Sequence, residues 1–148
     1  MRIALGADHA GVDLKNHLKA RLESLGFACH DFGPNSSESV DYPDFAAEVG
    51  RSVAGGAFDR GILVCGSGLG MAIAANKVPG VRAVAVVDET SARLSREHND
   101  ANVLALGARL TPVERADELV AVFLNTPFSG GRHQQRIDKL AALDKAPR

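Results

Sequence analysis

The stretch ILVCGSGLGMAIAANK, from Ile62 to Lys77, carries the residues best suited to chemistry. An apolar run typical of a buried strand ends at Cys65, and three glycines and Ser67 follow before a helix-like run begins. A helix N-terminus leaves backbone N–H groups unpaired and carries partial positive charge. Glycines allow an anion to approach such N–H groups closely. The stretch therefore predicts a thiol beside an oxyanion-binding turn made of Gly66, Ser67, Gly68, Leu69 and Gly70.

Several interpretations of Cys65 compete. A dinucleotide-binding loop is excluded, because the spacing is GxGxG rather than GxGxxG and the loop follows the third strand-like run. A cysteine-phosphatase loop is excluded, because Met71 stands six residues after the cysteine, where such a loop needs an arginine. Two interpretations stay open. Cys65 is either a buried small hydrophobic side chain or a thiolate that acts as base or nucleophile while the amides hold an oxyanion.

The motif ADHAG, from Ala7 to Gly11, places an acid and an imidazole at the end of the first strand-like run. Asp8 and His9 are candidates for ligand contacts, because ligands of parallel α/β sheets bind beyond the carboxyl ends of the strands. The alternative is structural: Asp8 then caps the next helix and His9 faces solvent.

The motif SREHNDANVLALGAR, from Ser95 to Arg109, places His98 and Asn99 at the end of a helix, just before the fifth strand-like run. Taken alone, His98 is more typical of an imidazole that interacts with the C-terminal end of a helix dipole than of a catalyst. A catalytic role for His98 therefore depends on the other polar motifs.

The motif GGRHQQRIDKL, from Gly130 to Leu140, places Arg132 and Arg136 four residues apart, hence on one face of a helix. Two guanidinium groups on one face suit a phosphate, although paired charges more often form a solvated basic face. Only one acid, Asp138, is close enough in sequence to pair with them. Together with the thiol, the imidazoles and the glycine turn, they predict a site that holds a phosphorylated small molecule and moves protons on it.

The elements that must position these residues alternate along the chain. Five strand-like runs are predicted at Arg2–Gly6, Phe27–Phe32, Gly61–Cys65, Arg82–Val87 and Asn102–Leu106. Near-continuous apolar runs such as ILVC and VAVV are typical of strands covered on both faces. The pattern therefore predicts an α/β fold, a three-layer, doubly wound, Rossmann-like arrangement with a five-stranded parallel sheet. The turns after the first, third and fourth strands, at Asp8, Cys65 and Asp88, then lie where ligands bind.

Helical periodicity fills the intervals between the strands. The apolar faces of the expected helices are Leu14, Leu18, Leu22 and Leu25; Phe45, Val49 and Val53; Val113, Ala116, Val120 and Phe123; and Ile137, Leu140 and Ala141. Gly26 is expected to end the first of these helices, and Arg132 to begin the last. Thr111 to Glu114 is expected to form a capping box with proline in the first turn.

Composition excludes several classes of partner. The 148 residues, 45% hydrophobic and 24% charged, fit a single domain over residues 1–148. A net charge of −1 and the absence of a long apolar run argue against nucleic-acid and membrane partners. Cys29 and Cys65 form no CxxC pair and no signal-peptide layout is present, so we expect a cytoplasmic protein with free thiols. The histidines show no HxH or HExxH spacing, so we expect no metal and no cofactor.

Several long motifs, in order, resemble those of the type B ribose-5-phosphate isomerases, a family that also contains the galactose-6-phosphate isomerase subunits. The resemblance covers nearly the whole chain. Its motifs are ADHAG at Ala7–Gly11, SSESVDYPDFA at Ser36–Ala46, ILVCGSGLGMAIAANK at Ile62–Lys77, LSREHNDANVLALGAR at Leu94–Arg109 and GGRHQQRI at Gly130–Ile137. Ser67 stands where the family is expected to have threonine as often, and the hydroxyl is kept.

The resemblance implies an isomerase of carbohydrate metabolism, in the pentose phosphate pathway, that interconverts ribose 5-phosphate and ribulose 5-phosphate through an enediolate. It implies that Cys65 is the base, that His98 opens the sugar ring and that the Gly66–Gly70 loop, with Ser67, holds the enediolate oxygens. The remaining substrate contacts that it implies are Asp8, His9, Tyr42, Asn99, Arg109, Arg132 and Arg136. It also implies a homodimer with active sites shared between subunits, which can pair into a tetramer, and no requirement for metal.

Two alternatives to this function stay open. The first is an isomerase of another sugar phosphate, such as allose or galactose 6-phosphate. The galactose enzyme needs two kinds of subunit, whereas the full polar set is present in this one chain. The second is a phosphosugar-binding regulatory domain without turnover. Intact Cys65, His98 and arginine residues argue against it, because a binding domain does not need a base.

Overall fold

The computed structural model describes residues 1–145 and contains alternating strands and helices. The strands are β1 (Arg2–Ala7), β2 (Ala28–Asp31), β3 (Arg60–Cys65), β4 (Ala83–Ala85) and β5 (Val103–Gly107). The helices are α1 (Val12–Ser24), α2 (Tyr42–Ala54), α3 (Leu69–Ala75), α4 (Glu89–Glu97), α5 (Val113–Asn125) and α6 (Arg132–Leu143). No helix in this part of the chain is long and apolar enough to cross a bilayer.

The strands form one parallel sheet in the order β2-β1-β3-β5-β4. The central strand β3 pairs with β1 on one side and with β5 on the other, where Cys65 lies opposite Gly107. The expected five-stranded parallel α/β sheet is confirmed. The edge strands are shorter than the sequence predicted, since β2 keeps four residues and β4 only three. Each edge strand has a pairing partner on one side only, which shortens the ladder.

Apolar side chains alternate between the two faces of the sheet, as successive residues of a strand must. One core packs against α1, α4 and α5 and contains Ile3, Leu5, Ile62, Val64, Leu104 and Leu106 from the strands. The other packs against α2 and α3 and contains Ala4, Leu63, Cys65, Val103 and Ala105. Helices therefore cover both faces, as the doubly wound prediction required, and Cys65 faces the α2–α3 layer.

Some local predictions were wrong. The expected capping box is absent, because the chain reaches α5 through a turn in which the Thr111 N–H donates to the carbonyl of Gly107, and the buried Thr111 hydroxyl has no partner among residues 1–145. Val113 is 41% exposed, whereas Ala116, Val120 and Phe123 are buried as expected. Leu25 follows the end of α1 and is 60% exposed, and Leu140 on α6 is also exposed.

A buried ion pair joins α1 to the segment after β2. The Lys15 side chain is fully buried, and its Nζ donates to both carboxylate oxygens of Asp31, each at 2.8 Å, and to the carbonyl of Pro34 at 2.6 Å. Asp31 also accepts the N–H of Gly33 at 2.7 Å. Because every N–H of the ammonium is paired, these hydrogen bonds and the carboxylate charge compensate for the cost of burying the lysine's positive charge. The pair holds the start of the segment that leads to Tyr42.

Candidate active site

A cleft of about 320 Å³ opens where the central strands end. Because β1, β3 and β5 are parallel, the residues that follow them meet at one edge of the sheet. The cleft is lined by Asp8, Tyr42, Cys65, Gly66, Ser67, Gly70, Arg109 and Leu110. Every one of these residues except Leu110 is a candidate from the sequence.

The Cys65 thiol closes the floor of the cleft. Its side chain is 5% exposed, and its Sγ accepts the backbone N–H of Gly68 at 3.1 Å. The residue therefore packs in the core and also meets the amides of the turn, so the two interpretations left open by the sequence are not exclusive in space.

The glycine turn is tight on both sides. Gly68 has a left-handed φ of 81°, and a Cβ there would lie 3.0 Å from the carbonyl carbon of Leu106. At Gly70 a Cβ would lie 2.7 Å from the ring of Tyr42. These positions accept no larger residue without movement, so at the glycines the turn presents backbone to the cleft.

Two polar side chains, those of Ser67 and Arg109, flank the backbone of the turn. The Ser67 hydroxyl accepts the N–H of Leu69 at 3.2 Å, while the Leu69 side chain itself is 60% exposed. The Arg109 guanidinium reaches to Gly66, where a Cβ would lie 2.9 Å from Nη1. The Arg109 N–H also donates to the Gly66 carbonyl at 3.0 Å, which extends the β3–β5 pairing into the turn. A hydroxyl and a cation therefore flank the amides.

Asp8 and His9 border the cleft through the turn after β1. Asp8 is 8% exposed, and its Oδ1 accepts the N–H groups of Ala10 and Gly11 at 2.9 and 3.2 Å. Asp8 therefore stabilises the turn before α1 but does not cap the helix, whose N-cap residue is Gly11, and the same carboxyl group lines the cleft. The Nδ1 of His9 accepts the N–H of Val40 at 3.2 Å, which fixes the ring against the segment that precedes α2.

Asp88, after β4, is not part of the cleft. Its Oδ1 accepts the N–H of Ser91 at 2.7 Å and caps α4, and this hydrogen bond lowers the pKa of the exposed carboxyl group.

His98 and Asn99 lie at the opposite edge of the sheet. His98 ends α4, and Asn102, which follows in the same turn, accepts the N–H of Gly61 at the start of β3. Cys65 is four residues further along β3. With a rise of about 3.3 Å per residue, roughly 13 Å of strand separates this turn from the thiol. The structure therefore does not bring His98 or Asn99 to Cys65 within one chain.

The arginine pair accompanies His98. The imidazoles of His98 and His133 stack with centroids 4.3 Å apart and planes 14° apart. Helix α6 begins with Arg132, immediately before His133, and Arg136 follows one turn later. These arginines therefore lie on the His98 side of the molecule, and Asn99 lines a separate cavity of about 400 Å³ together with residues of β4 and α6.

His133 is a candidate that the sequence reasoning missed. Its pKa is lowered from the ordinary value by desolvation and, to a lesser extent, by the neighbouring His98, Arg132 and Arg136. Its position between the two arginines was a signal, but the stack with His98 depends on how α4 and α6 meet, which no local pattern shows.

Within one chain the candidates thus form two groups. The thiol edge holds a sulfur, backbone amides, a hydroxyl and the Arg109 cation, which suit proton abstraction next to a developing oxyanion. The imidazole edge holds two imidazoles and two guanidinium groups, which suit acid–base chemistry and phosphate binding. Among residues 1–145, no group of three or more His, Cys, Asp or Glu side chains could hold a metal ion.

Comparison with known proteins places the whole chain among sugar-phosphate isomerases. A family model described as ribose/galactose isomerase matches residues 3–140. Ribose-5-phosphate isomerase B of Escherichia coli K12 is 47% identical over 144 residues, 97% of each chain. The structure of Clostridium thermocellum ribose-5-phosphate isomerase B matches with a TM-score of 0.97 and 48% identity over 98% of each chain. That of the Mycoplasma genitalium enzyme with bound ribulose 5-phosphate matches with a TM-score of 0.95 and 42% identity, over 99% of this chain and 97% of that one.

Proposed function

The chain belongs to the ribose/galactose isomerase family, and from that premise we propose that it is an enzyme that interconverts ribose 5-phosphate and ribulose 5-phosphate. The observation that carries the proposal is the cleft at the end of β3, with its thiol and amide turn, in a chain similar over its whole length to relatives of that name. A similar chain, the Mycoplasma genitalium enzyme, binds ribulose 5-phosphate.

The chemistry follows from what the thiol edge offers. The Cys65 thiolate removes the C2 proton of the open-chain aldose, and the electron pair moves through C1 to the carbonyl oxygen, which gives an enediolate. The thiol then returns the proton to C1 while the O2 proton passes to O1, and the ketose, with a C1 hydroxyl and a C2 carbonyl, results. The amides from Gly66 to Gly70 hold the enediolate oxygens, and the Ser67 hydroxyl donates to one of them.

The ring must open before this proton transfer. His98 is the proposed acid: it protonates the ring oxygen as the C1 hydroxyl loses its proton. Because the turn that follows His98 lies about 13 Å along the strand from Cys65 of the same chain, His98 serves the thiol of a second copy of the chain. The proposal therefore includes a homodimer in which each active site takes the thiol edge of one subunit and the imidazole edge of the other.

The His98→Asn variant separates ring opening from proton transfer. We expect kcat/KM for ribose 5-phosphate to fall roughly 10²-fold or more, because general acid catalysis of ring opening is lost. D-Erythrose 4-phosphate cannot close a ring through its phosphorylated O4, so its isomerisation should fall far less. Exchange of its C2 proton with solvent measures this.

His17→Asn is the matched control, since His17 lies on α1 and pairs with Asp117 away from both edges. It should match the wild type on both sugars. An equal loss on both sugars in His98→Asn would remove His98 from ring opening.

Arg132 and Arg136 are proposed to bind the substrate phosphate. Both are exposed on the first turns of α6 and close to the two imidazoles. A charge-assisted hydrogen bond is worth roughly 1.5–3 kcal/mol, so loss of either arginine should weaken binding of inorganic phosphate about ten- to a hundred-fold. The change should appear mainly in KM, because the phosphate is held similarly in the ground and transition states.

Competitive inhibition by inorganic phosphate measures the effect in Arg132→Ala and Arg136→Ala. Arg115→Ala removes an exposed arginine of α5 and is the control. If both α6 variants bind phosphate as the wild type does, the pair is only a solvated basic face.

Direct assay of the purified protein tests the proposed function itself. The kcat/KM values for ribose, allose and galactose phosphates should rank ribose 5-phosphate first. A higher value for a hexose 6-phosphate would transfer the same mechanism to another sugar, and phosphate binding without turnover of any sugar would identify a regulatory domain.

A further inference from the structure

Arg96 is a buried cation that the proposed chemistry does not use. It lies in the last turn of α4, its side chain is 3% exposed, and its guanidinium carbon lies 5.9 Å from the centre of the Phe123 ring. Removing a guanidinium group from water is costly unless its donors are paired. The fixed, planar arrangement of these donors lets one side chain bind several oxygens at once.

The partners of Arg96 come from two separate segments. Its Nη1 donates to the Asp100 carboxylate at 2.8 Å and to the Ala101 carbonyl at 2.6 Å, both in the turn after His98. Its Nε donates to the carbonyl of Thr126 at 3.1 Å, just after α5. Arg96 therefore bridges the turn that carries His98 and the segment that leads to Arg132.

The turn held by Arg96 has an unusual backbone. Asp100 has a φ of 46°, the only positive value outside glycine in residues 1–145. Such a conformation is uncommon for residues with a side chain and needs support from its surroundings. Arg96 supplies part of it, and Arg82 contributes a second, longer contact to the same carboxylate at 3.4 Å.

The segment from Thr126 to α6 touches α4 at two further points. The N–H of Ser129 donates to the carbonyl of Glu97 at 3.1 Å. Beyond it, His133 stacks on His98. Only Ile137 of α6 is buried, so the helix has little other apolar anchorage within the chain. The placement of Arg132 and His133 against His98 thus depends on a few polar contacts, among which those of Arg96 are the most buried.

We propose that Arg96 is a positioning residue: it ties the turn bearing His98 and Asn99 to the segment bearing Arg132 and His133, so that the imidazoles and the phosphate-binding arginines form one rigid unit. What this unit does in catalysis rests on the function proposed above, but the link that Arg96 makes between the two segments does not depend on that function. Its content is geometric, since the guanidinium fixes the distance between two segments that are far apart in sequence.

Arg96→Lys tests the bridge because it keeps a buried cation but cannot span both segments. Lysine has a single nitrogen, which can pair with Asp100 but does not reach the Thr126 carbonyl in the same geometry. We expect the ring-current shifts of the His98 and His133 imidazole protons to diminish in NMR spectra. We also expect calorimetry to show roughly ten-fold weaker binding of inorganic phosphate, and kcat for ribose 5-phosphate to fall roughly 10- to 100-fold, as for a misplaced catalytic group.

The same variant should leave proton exchange on D-erythrose 4-phosphate at saturating concentration within about two-fold of wild type, since the thiol edge is intact. In a His98→Asn background, Arg96→Lys should no longer lower kcat for ribose 5-phosphate, because the imidazole that opens the ring is already absent. A residue that only stabilises the fold would give neither result.

Arg93→Lys is the matched control, since Arg93 lies on the same helix, is exposed and pairs only with Glu97 in the described chain. It should match the wild type in every measurement. If Arg96→Lys does not fold, Asp100→Asn replaces it, because asparagine tolerates positive φ and loses only the charge that faces Arg96. Asp100→Asn should change the imidazole signals and the phosphate affinity in the same direction as Arg96→Lys, but to a smaller extent.

Wild-type imidazole signals and phosphate affinity in Arg96→Lys, or in Asp100→Asn where Arg96→Lys is unfolded, would overturn the proposal. Failure of the proposed function has a different signature. The wild-type protein would then not turn over ribose 5-phosphate, while the imidazole signals and phosphate titrations would still decide whether Arg96 holds the unit together.

Discussion

The Cys65→Ala variant is expected to lose isomerisation of ribose 5-phosphate to near the background rate while still binding the sugar. General base catalysis contributes roughly 10²- to 10⁴-fold, and the sulfur is the base that we propose. Binding should persist because the amides from Gly66 to Gly70 and the Arg109 guanidinium are unchanged. Exchange of the C2 proton with solvent should vanish together with turnover, since the same proton transfer underlies both.

The second free cysteine provides the control. Cys29 lies on the edge strand β2, away from the cleft, and burial raises the pKa of its thiol. Cys29→Ala should keep turnover and proton exchange. Iodoacetamide should still inactivate this variant by alkylating Cys65, and ribose 5-phosphate should protect it against this inactivation. Turnover of Cys65→Ala near the wild-type rate would dismiss the thiol as base.

Mixing two variants, each inactive at a ribose 5-phosphate concentration far below the KM of the arginine variant, is expected to restore activity. One variant is Cys65→Ala, and the other carries both Arg132→Ala and Arg136→Ala. In a mixed dimer one site receives an intact thiol edge and an intact imidazole edge, while the other site receives both defects. Random exchange of equal amounts makes half of the dimers mixed, so about a quarter of the wild-type number of active sites should appear.

The recovery depends directly on the separation of the two edges. The turn that carries His98 lies level with the start of β3, whereas Cys65 ends that strand. Mass spectrometry of differently labelled subunits verifies exchange, and a mixture of Cys65→Ala with itself gives the baseline. No recovery despite verified exchange would place the thiol and the arginines in one subunit's site and contradict the shared-site proposal.

Much of the fold was predictable from the sequence because each apolar run has the length and composition of a doubly covered strand. The run ILVC became the last four residues of β3, and the pattern around Leu14, Leu18 and Leu22 became the buried face of α1. The edge strands were less predictable, since the pattern of Arg82 to Val87 favours a strand but neighbours on one side sustain only three residues of it. The capping box predicted at Thr111 does not form, because a capping pattern is read from local sequence alone, whereas the turn after β5 determines how α5 begins.

Most of the residues that line the cleft were predictable from the sequence, and the resemblance implied a site shared between subunits. His98 precedes a strand and Cys65 ends one, so a parallel sheet already implies opposite edges for them. Grouping the motifs by chemistry alone hides this separation, which their positions relative to the strands reveal. The stack of His98 on His133 and the bridge made by Arg96 had no comparable signal, since both join segments about thirty residues apart.

The ammonium of Lys15 is chemically silent in the folded protein. It exposes no surface, and all of its protons are engaged by Asp31 and Pro34, so an acylating reagent meets no free amine there. Lysines on the outside of the molecule carry no such protection. Acylation at Lys15 therefore requires local opening, in which the chain between β2 and α2 separates from α1. The acylation rate of this one amine thus measures how often the segment opens that contains Val40, whose N–H donates to the His9 ring.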